Sequence, residues 1–137
     1  MTFVKAIESS LSQYMTFRGR AARSEFWFFA LFSSICSVVA IIIDNILGTQ
    51  FKNVDPLSGG EVGSLYGYIY LLVALGLFIP YLSVFVRRLH DTNRSGWWYW
   101  ILLIPLIGVI LLLVWLCSKG TSGDNDYGSD PLSGDIK

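Results

Sequence analysis

The sequence predicts an all-α integral membrane protein, with three transmembrane helices preceded by an N-terminal amphipathic helix. Two observations carry that expectation. Charged residues are 15% of the 137 and apolar residues 53%, against roughly 25% charged in an average globular chain. A soluble domain this short leaves much of its surface in water and needs more charge than that. The charges are also grouped: none falls within 26–43, 65–86 or 97–117, runs of 18, 22 and 21 residues. At 1.5 Å per helical residue these runs extend about 27, 33 and 32 Å, against a hydrocarbon core of about 30 Å. The length is that of one unit, a single membrane domain over residues 1–137.

Residues 1–17 open the chain. Phe3, Ile7, Leu11 and Tyr14 or Met15 recur at helical spacing with polar residues between them. This is an amphipathic helix that lies in the membrane interface or packs on the protein's own spans. A basic turn, Phe17-Arg18-Gly19-Arg20-Ala21-Ala22-Arg23-Ser24-Glu25, leads into span one, residues 26–47. Glu25 in the first turn suits the positive end of the helix dipole. Ala30, Ser33, Ser34 and Ser37 form a face of small residues that lets another helix approach closely in lipid. The run is longer than the 7–15 apolar residues of a signal peptide and no small-residue cleavage site follows, so it reads as a retained helix.

Residues 48–64, with Gly48, Pro56, Gly59, Gly60 and Gly63, read as a loop. Span two, residues 65–87, contains Pro80, which removes a backbone hydrogen bond and predicts a kink. A turn over 87–96 follows. Span three, residues 97–117, starts on Trp97-Trp98-Tyr99-Trp100 and contains Pro105 and Gly108. The tail, residues 118–137, is rich in Gly, Ser and Asp and reads as extended or partly disordered. Cys36 and Cys117 read as packing residues, with neither zinc-ligand spacing nor a disulfide framework.

Ten basic and ten acidic residues cancel, so charge position is more informative than net charge. Lys5, Arg18, Arg20, Arg23, Arg87, Arg88 and Arg94 lie in the N-terminal segment and the 87–96 turn; Lys52, Lys119 and Lys137 lie in the other connections. Basic segments stay in the cytoplasm. The expectation is a multi-pass protein with the N-terminus and the turn cytoplasmic and the C-terminus outside.

The most chemical group is Arg18, Arg20, Arg23, Arg87, Arg88 and His90, with Glu25 and Asp91 as ion-pair partners. Two readings stand. Guanidinium forks bind phosphate at two points, which makes an anionic headgroup site. Alternatively the arginines fix topology and pair with Glu25 and Asp91. His90 and Asp91 are adjacent, and neighbours on a helix point about 100° apart, so they are weak as a catalytic pair. No phosphate loop, nucleophile elbow or metal-ligand pair is present, and Asp124, Asp126, Gly128 and Asp130 miss the spacing of a calcium loop. No catalytic residue, metal ligand or cofactor is assigned. The basic clusters are too short and too close to the spans to suggest nucleic acid.

Phe17-Arg18-Gly19-Arg20-Ala21-Ala22-Arg23-Ser24-Glu25-Phe26-Trp27 resembles the opening of the bacterial inner-membrane family called "domain of unknown function 805". So do Arg87-Arg88-Leu89-His90-Asp91 with Ser95-Gly96-Trp97-Trp98, Ile104-Pro105-Leu106-Ile107-Gly108, and Asn125-Asp126-Tyr127-Gly128 with Asp130-Pro131. The similarity runs from about residue 10 to 132; the family's basic residue before the tyrosine is Asp126 here. The resemblance implies a small helical protein of the bacterial inner (plasma) membrane and implies no reaction.

The leading functional expectation is a non-enzymatic component that binds lipid or a protein through its basic cytoplasmic face. Its partners would be membrane lipids, anionic phospholipid among them, a second copy or another membrane protein. Two rivals remain: a subunit of an oligomeric transporter or channel, and a lipid-modifying enzyme using His90 and Asp91.

Overall fold

A computed structural model describes residues 1–134. Helix α1 (Phe3–Ser12) is followed by α2 (Arg23–Leu47), strands β1 (Gln50–Val54) and β2 (Glu61–Gly67), α3 (Tyr68–Asp91), a 3-10 helix (Gly96–Leu103) and α4 (Ile107–Cys117). The protein is mostly helical. Helices α2 and α3, of 25 and 24 residues, are long and apolar enough to cross a membrane. Only 17% and 22% of their apolar windows are buried inside the protein. A core helix of a soluble protein buries far more, so lipid is the solvent these surfaces fit.

The chain divides into two compact units, and α2 and α3 contribute to both. The first comprises Met1–Ala30 and the chain from Ile79 onward. Here α1 starts on Thr2, whose side chain accepts from Lys5 N–H. It buries Ala6 and Ser10 completely and leaves Val4 and Leu11 exposed. Small residues allow close contact, and the Phe3 ring meets Phe28 edge-on at 5.9 Å. Ser83 Oγ donates to the Thr16 carbonyl at 2.6 Å and lies 3.0 Å from that of Gln13, fixing the chain just after the helix. Thus α1 packs on its own spans through small residues and turns larger apolar ones outward. Phe26 packs against Tyr81 and Phe85, each with ring centroids 6.0 Å apart. Pro80 is accommodated inside the continuous α3.

The second unit is Leu31–Phe78. Gly48, at φ +71°, ends α2: Thr49 N–H reaches back to the Asp44 carbonyl at 3.0 Å, the six-to-one bond of a Schellman stop. The expected loop 48–64 is instead an antiparallel hairpin, pairing Lys52 with Gly63, Asn53 with Val62 and Val54 with Glu61. This corrects the all-α expectation. Gln-Phe-Lys-Asn-Val is too short to register as an alternating pattern, and its partner strand is broken up by Gly63. Asp55 closes the turn by accepting from Leu57 N–H at 3.1 Å and Ser58 Oγ at 2.6 Å. These bonds, Ser58 first, hold its carboxyl below the ordinary carboxylate range. Asp44, fully buried, accepts from Ile69 N–H at 3.0 Å, Tyr70 N–H at 2.8 Å and Thr49 Oγ1 at 2.5 Å. It therefore caps α3 from 25 residues upstream, satisfying donors that a helix start leaves bare.

The third apolar run departs from expectation. It is not one 21-residue helix. The chain passes through eight residues of 3-10 helix, turns at Ile104–Leu106, and returns along the eleven residues of α4. Pro105, which has no N–H to donate, stands at the break between the two legs. Leu106 has φ +65° and ψ −60°, and Ile107 N–H bonds to the Pro105 carbonyl at 2.7 Å. That is a γ-turn of the less common hand. Gly108 lets the legs meet, since a Cβ there would collide with the Ile101 carbonyl. Trp98 and Trp115 close the other end of the pair with centroids 5.4 Å apart.

A buried arginine cluster as the candidate functional site

The basic residues divide into two sets. Arg20, Arg87 and Arg88 are buried, with 8%, 1% and 0% of their surface exposed, whereas Arg18 and Arg23 are exposed. Burial of a cation requires opposite charge and good hydrogen bonds. Both are present. Arg87 Nη1 lies 2.9 Å from Glu25 Oε1. Ser9 Oγ donates to the same oxygen at 3.0 Å, which ties α1 to the pair. Asp91 is the other hub: Arg20 approaches its Oδ1 at 2.9 Å through Nη2 and 3.0 Å through Nε, while Arg88 Nη1 bonds its Oδ2.

Three buried cations face two buried carboxylates, Glu25 and Asp91. Backbone carbonyls answer the excess. Arg88 donates to Leu116 (3.1 Å), Ala21 (3.4 Å) and Ser118. Arg20 donates to Gly123 at 2.5 Å and to Thr121. Leu116 and Ser118 are the carboxyl end of α4, where unpaired carbonyls carry the negative pole of the helix. Exposed Arg23 reaches the Cys117 carbonyl at 3.3 Å. The returning leg is therefore aimed so that its negative end meets Arg88 and Arg23.

His90 is also committed. Its Nδ1 sits 3.0 Å from the Gly19 carbonyl, so that nitrogen carries the proton and donates. Its ring stacks on Tyr127 at 4.0 Å with planes 6° apart. Asp91 bonds arginines and His90 bonds a carbonyl and an aromatic ring, so the two do not act on one another.

Residues 118–130 correct the expectation of an extended or disordered tail. Thr121 N–H bonds to the Asp91 carbonyl at 2.8 Å, and Asn125 Nδ2 donates to the His90 carbonyl at 2.9 Å. Gly120 lies so close to the Asp91 carboxylate that a Cβ would strike it. Asn125 and Gly128 close a tight turn, and Asp130 accepts from Leu132 N–H at 2.9 Å and Gly123 N–H at 3.0 Å. Those bonds, Leu132 first, hold the Asp130 carboxyl below its ordinary range. The sequence put the turn and the tail on opposite faces of the membrane; the structure hydrogen-bonds them together. Lys137 and the end of the tail, residues 135–137, lie outside the described residues. Sequence reasoning missed Asp44, Gly120, Asn125 and Tyr127 as structural determinants. Asn125 and Tyr127 entered only through the family resemblance, with no structural role attached.

Long lipid-fitting helices and an ion-paired arginine cluster at the end of one of them define a helical integral membrane protein. The chain belongs to the family described as protein of unknown function (DUF805), whose profile matches residues 14–129. It is 40% identical over 126 residues to inner membrane protein YhaI of Escherichia coli strain K12, covering 92% of this chain and 94% of that one. Inner membrane protein YhaH of the same strain is 40% identical over 121 residues, 88% of this chain and 91% of the relative. No solved structure matches at a significant level. Both relatives are named as inner membrane proteins, which agrees with the two membrane-length apolar helices of this chain.

Proposed function

We propose that the protein is a non-enzymatic inner-membrane component that retains anionic phospholipid at a cytoplasmic basic face. The observation that carries this reading is the division of the cations. Arg20, Arg87 and Arg88 are spent on internal pairs, while exposed Arg23 and Lys119 line one cavity of about 70 Å³ beside the first turn of α2. Asp91 and Asp130 also line it. Asp91 is matched by two arginines and Asp130 by backbone N–H groups, so both are already engaged. A headgroup phosphate there meets two cations and the positive pole of a long helix. Seven of ten basic residues in the N-terminal segment and the 87–96 turn support a cytoplasmic location for both.

The test is purification of the full chain in mild detergent with quantified co-purified phosphatidylglycerol. The double substitution Arg23→Gln with Lys119→Gln should lower retained anionic lipid severalfold, while Lys52→Gln, on the exposed hairpin, should not. Equal retention in all three proteins would refute the reading.

A further inference from the structure

We propose that residues 97–117 do not cross the bilayer but enter one leaflet as a re-entrant hairpin, covered by acyl chains, and return the tail to the side of the arginine cluster. Four observations converge. The legs match each other and match one leaflet. Eight residues of 3-10 helix at a rise of about 2.0 Å, and eleven of α-helix at 1.5 Å, each extend about 16 Å. Half of a hydrocarbon core of about 30 Å is about 15 Å.

The hairpin also has the surface of a lipid-immersed element. It carries no charge from Trp97 to Cys117. Its tip is bare, with Leu103 76% and Leu106 73% exposed. Trp97, Trp98 and Trp100 stand at the base, where indole rings favour the interface.

Irregular backbone survives in hydrocarbon only if its polar groups are paired. Pro105 brings no N–H to the turn. Ile104 N–H bonds Ile101 (3.0 Å), Ile107 N–H bonds Pro105 (2.7 Å), Gly108 N–H bonds Ile104 (3.0 Å) and Ile110 N–H bonds Leu106 (3.0 Å). The carbonyls of Ile101, Ile104, Pro105 and Leu106 are thereby used as well, so that among the donors of the turn only the Leu106 N–H has no backbone partner.

Finally, the chain returns to where it started. Residues 118–123 bond to Arg20, Arg88 and the Asp91 carbonyl. A hairpin of this kind adds volume to one leaflet only, the leaflet that holds the basic face.

The experiment uses the full chain in oriented membrane vesicles, with Cys36→Ala and Cys117→Ala as background. Asn93→Cys and Ser122→Cys are each labelled with a membrane-impermeant thiol reagent, and Leu106→Cys carries an environment-sensitive fluorophore. Both polar positions should label from the same side, and the fluorophore should be quenched most by lipids brominated deep in the acyl chain. Labelling of Asn93→Cys and Ser122→Cys from opposite sides would overturn the proposal in favour of a full crossing. A fluorophore shielded from all brominated lipids would also overturn it, by showing that protein covers the tip. Should a variant fail to fold, protease cleavage of the unaltered chain at exposed Lys119, compared between the two vesicle orientations, answers the same question of side. Cleavage from the face opposite Arg18 overturns the proposal.

Discussion

Replacing Arg88 by lysine keeps the charge and discards the planar fork, which separates a structural arginine from one that only marks topology. The side chain is fully buried and donates to Asp91 and to the carbonyls of Leu116, Ala21 and Ser118. An ammonium placed on Asp91 does not also span Leu116 and Ser118. Two charged hydrogen bonds are then lost, at about 1.5–3 kcal/mol each, for a total of about 3–6 kcal/mol. Asp91 keeps Arg20, so its own charge is not left unpaired and the loss stays below that of Arg88→Ala. A loss of 3 kcal/mol in a chain of this size corresponds to a fall in Tm on the order of 10 °C. The assay is thermal unfolding in detergent followed by size-exclusion chromatography, with limited proteolysis at Lys119 as a second readout. The variant should unfold early and release its tail while membrane orientation is unchanged, because either cation satisfies the positive-inside preference. Wild-type Tm together with a wild-type proteolysis rate would refute the reasoning.

Two further outcomes are expected. Asp44→Ala removes the acceptor for two α3 N–H groups and should cost about 1–2 kcal/mol; Asp44→Asn, which keeps one acceptor oxygen, should cost less, and detergent melting curves will rank them. Because the Asp130 carboxyl is held below its ordinary range in the folded state, its contribution is complete above the unfolded value and is lost as pH falls through the folded one. Proteolysis of the tail at Lys119 should therefore stay slow from neutral pH down to about pH 5 and accelerate below about pH 4, an acceleration that Asp130→Asn should remove by opening the turn at every pH.

Hydropathy and charge placement determined the membrane character of the chain and the position of its two long helices. Those are properties of contiguous residues, and a continuous apolar run has few other ways to satisfy itself. The sequence offered Glu25 and Asp91 as partners for the arginines, and Arg87 pairs with Glu25 while Arg20 and Arg88 pair with Asp91. What each arginine does was not legible. Arg20 and Arg23 stand three apart in one basic turn, yet one is buried against Asp91, 71 residues away, and the other is exposed. Only the tertiary path of the chain separates them. The same holds for the third apolar run. Composition makes 97–117 indistinguishable from a span, and its proline and glycine equally suit a kinked helix. The outcome was decided by tertiary contacts: the Ile101 carbonyl against Gly108 at the turn, and, over longer separations, the end of α4 against Arg88 and the tail carbonyls against Arg20. Solvent preference is written residue by residue along the chain, whereas the choice between crossing and turning back depends on which distant partner receives the buried charge.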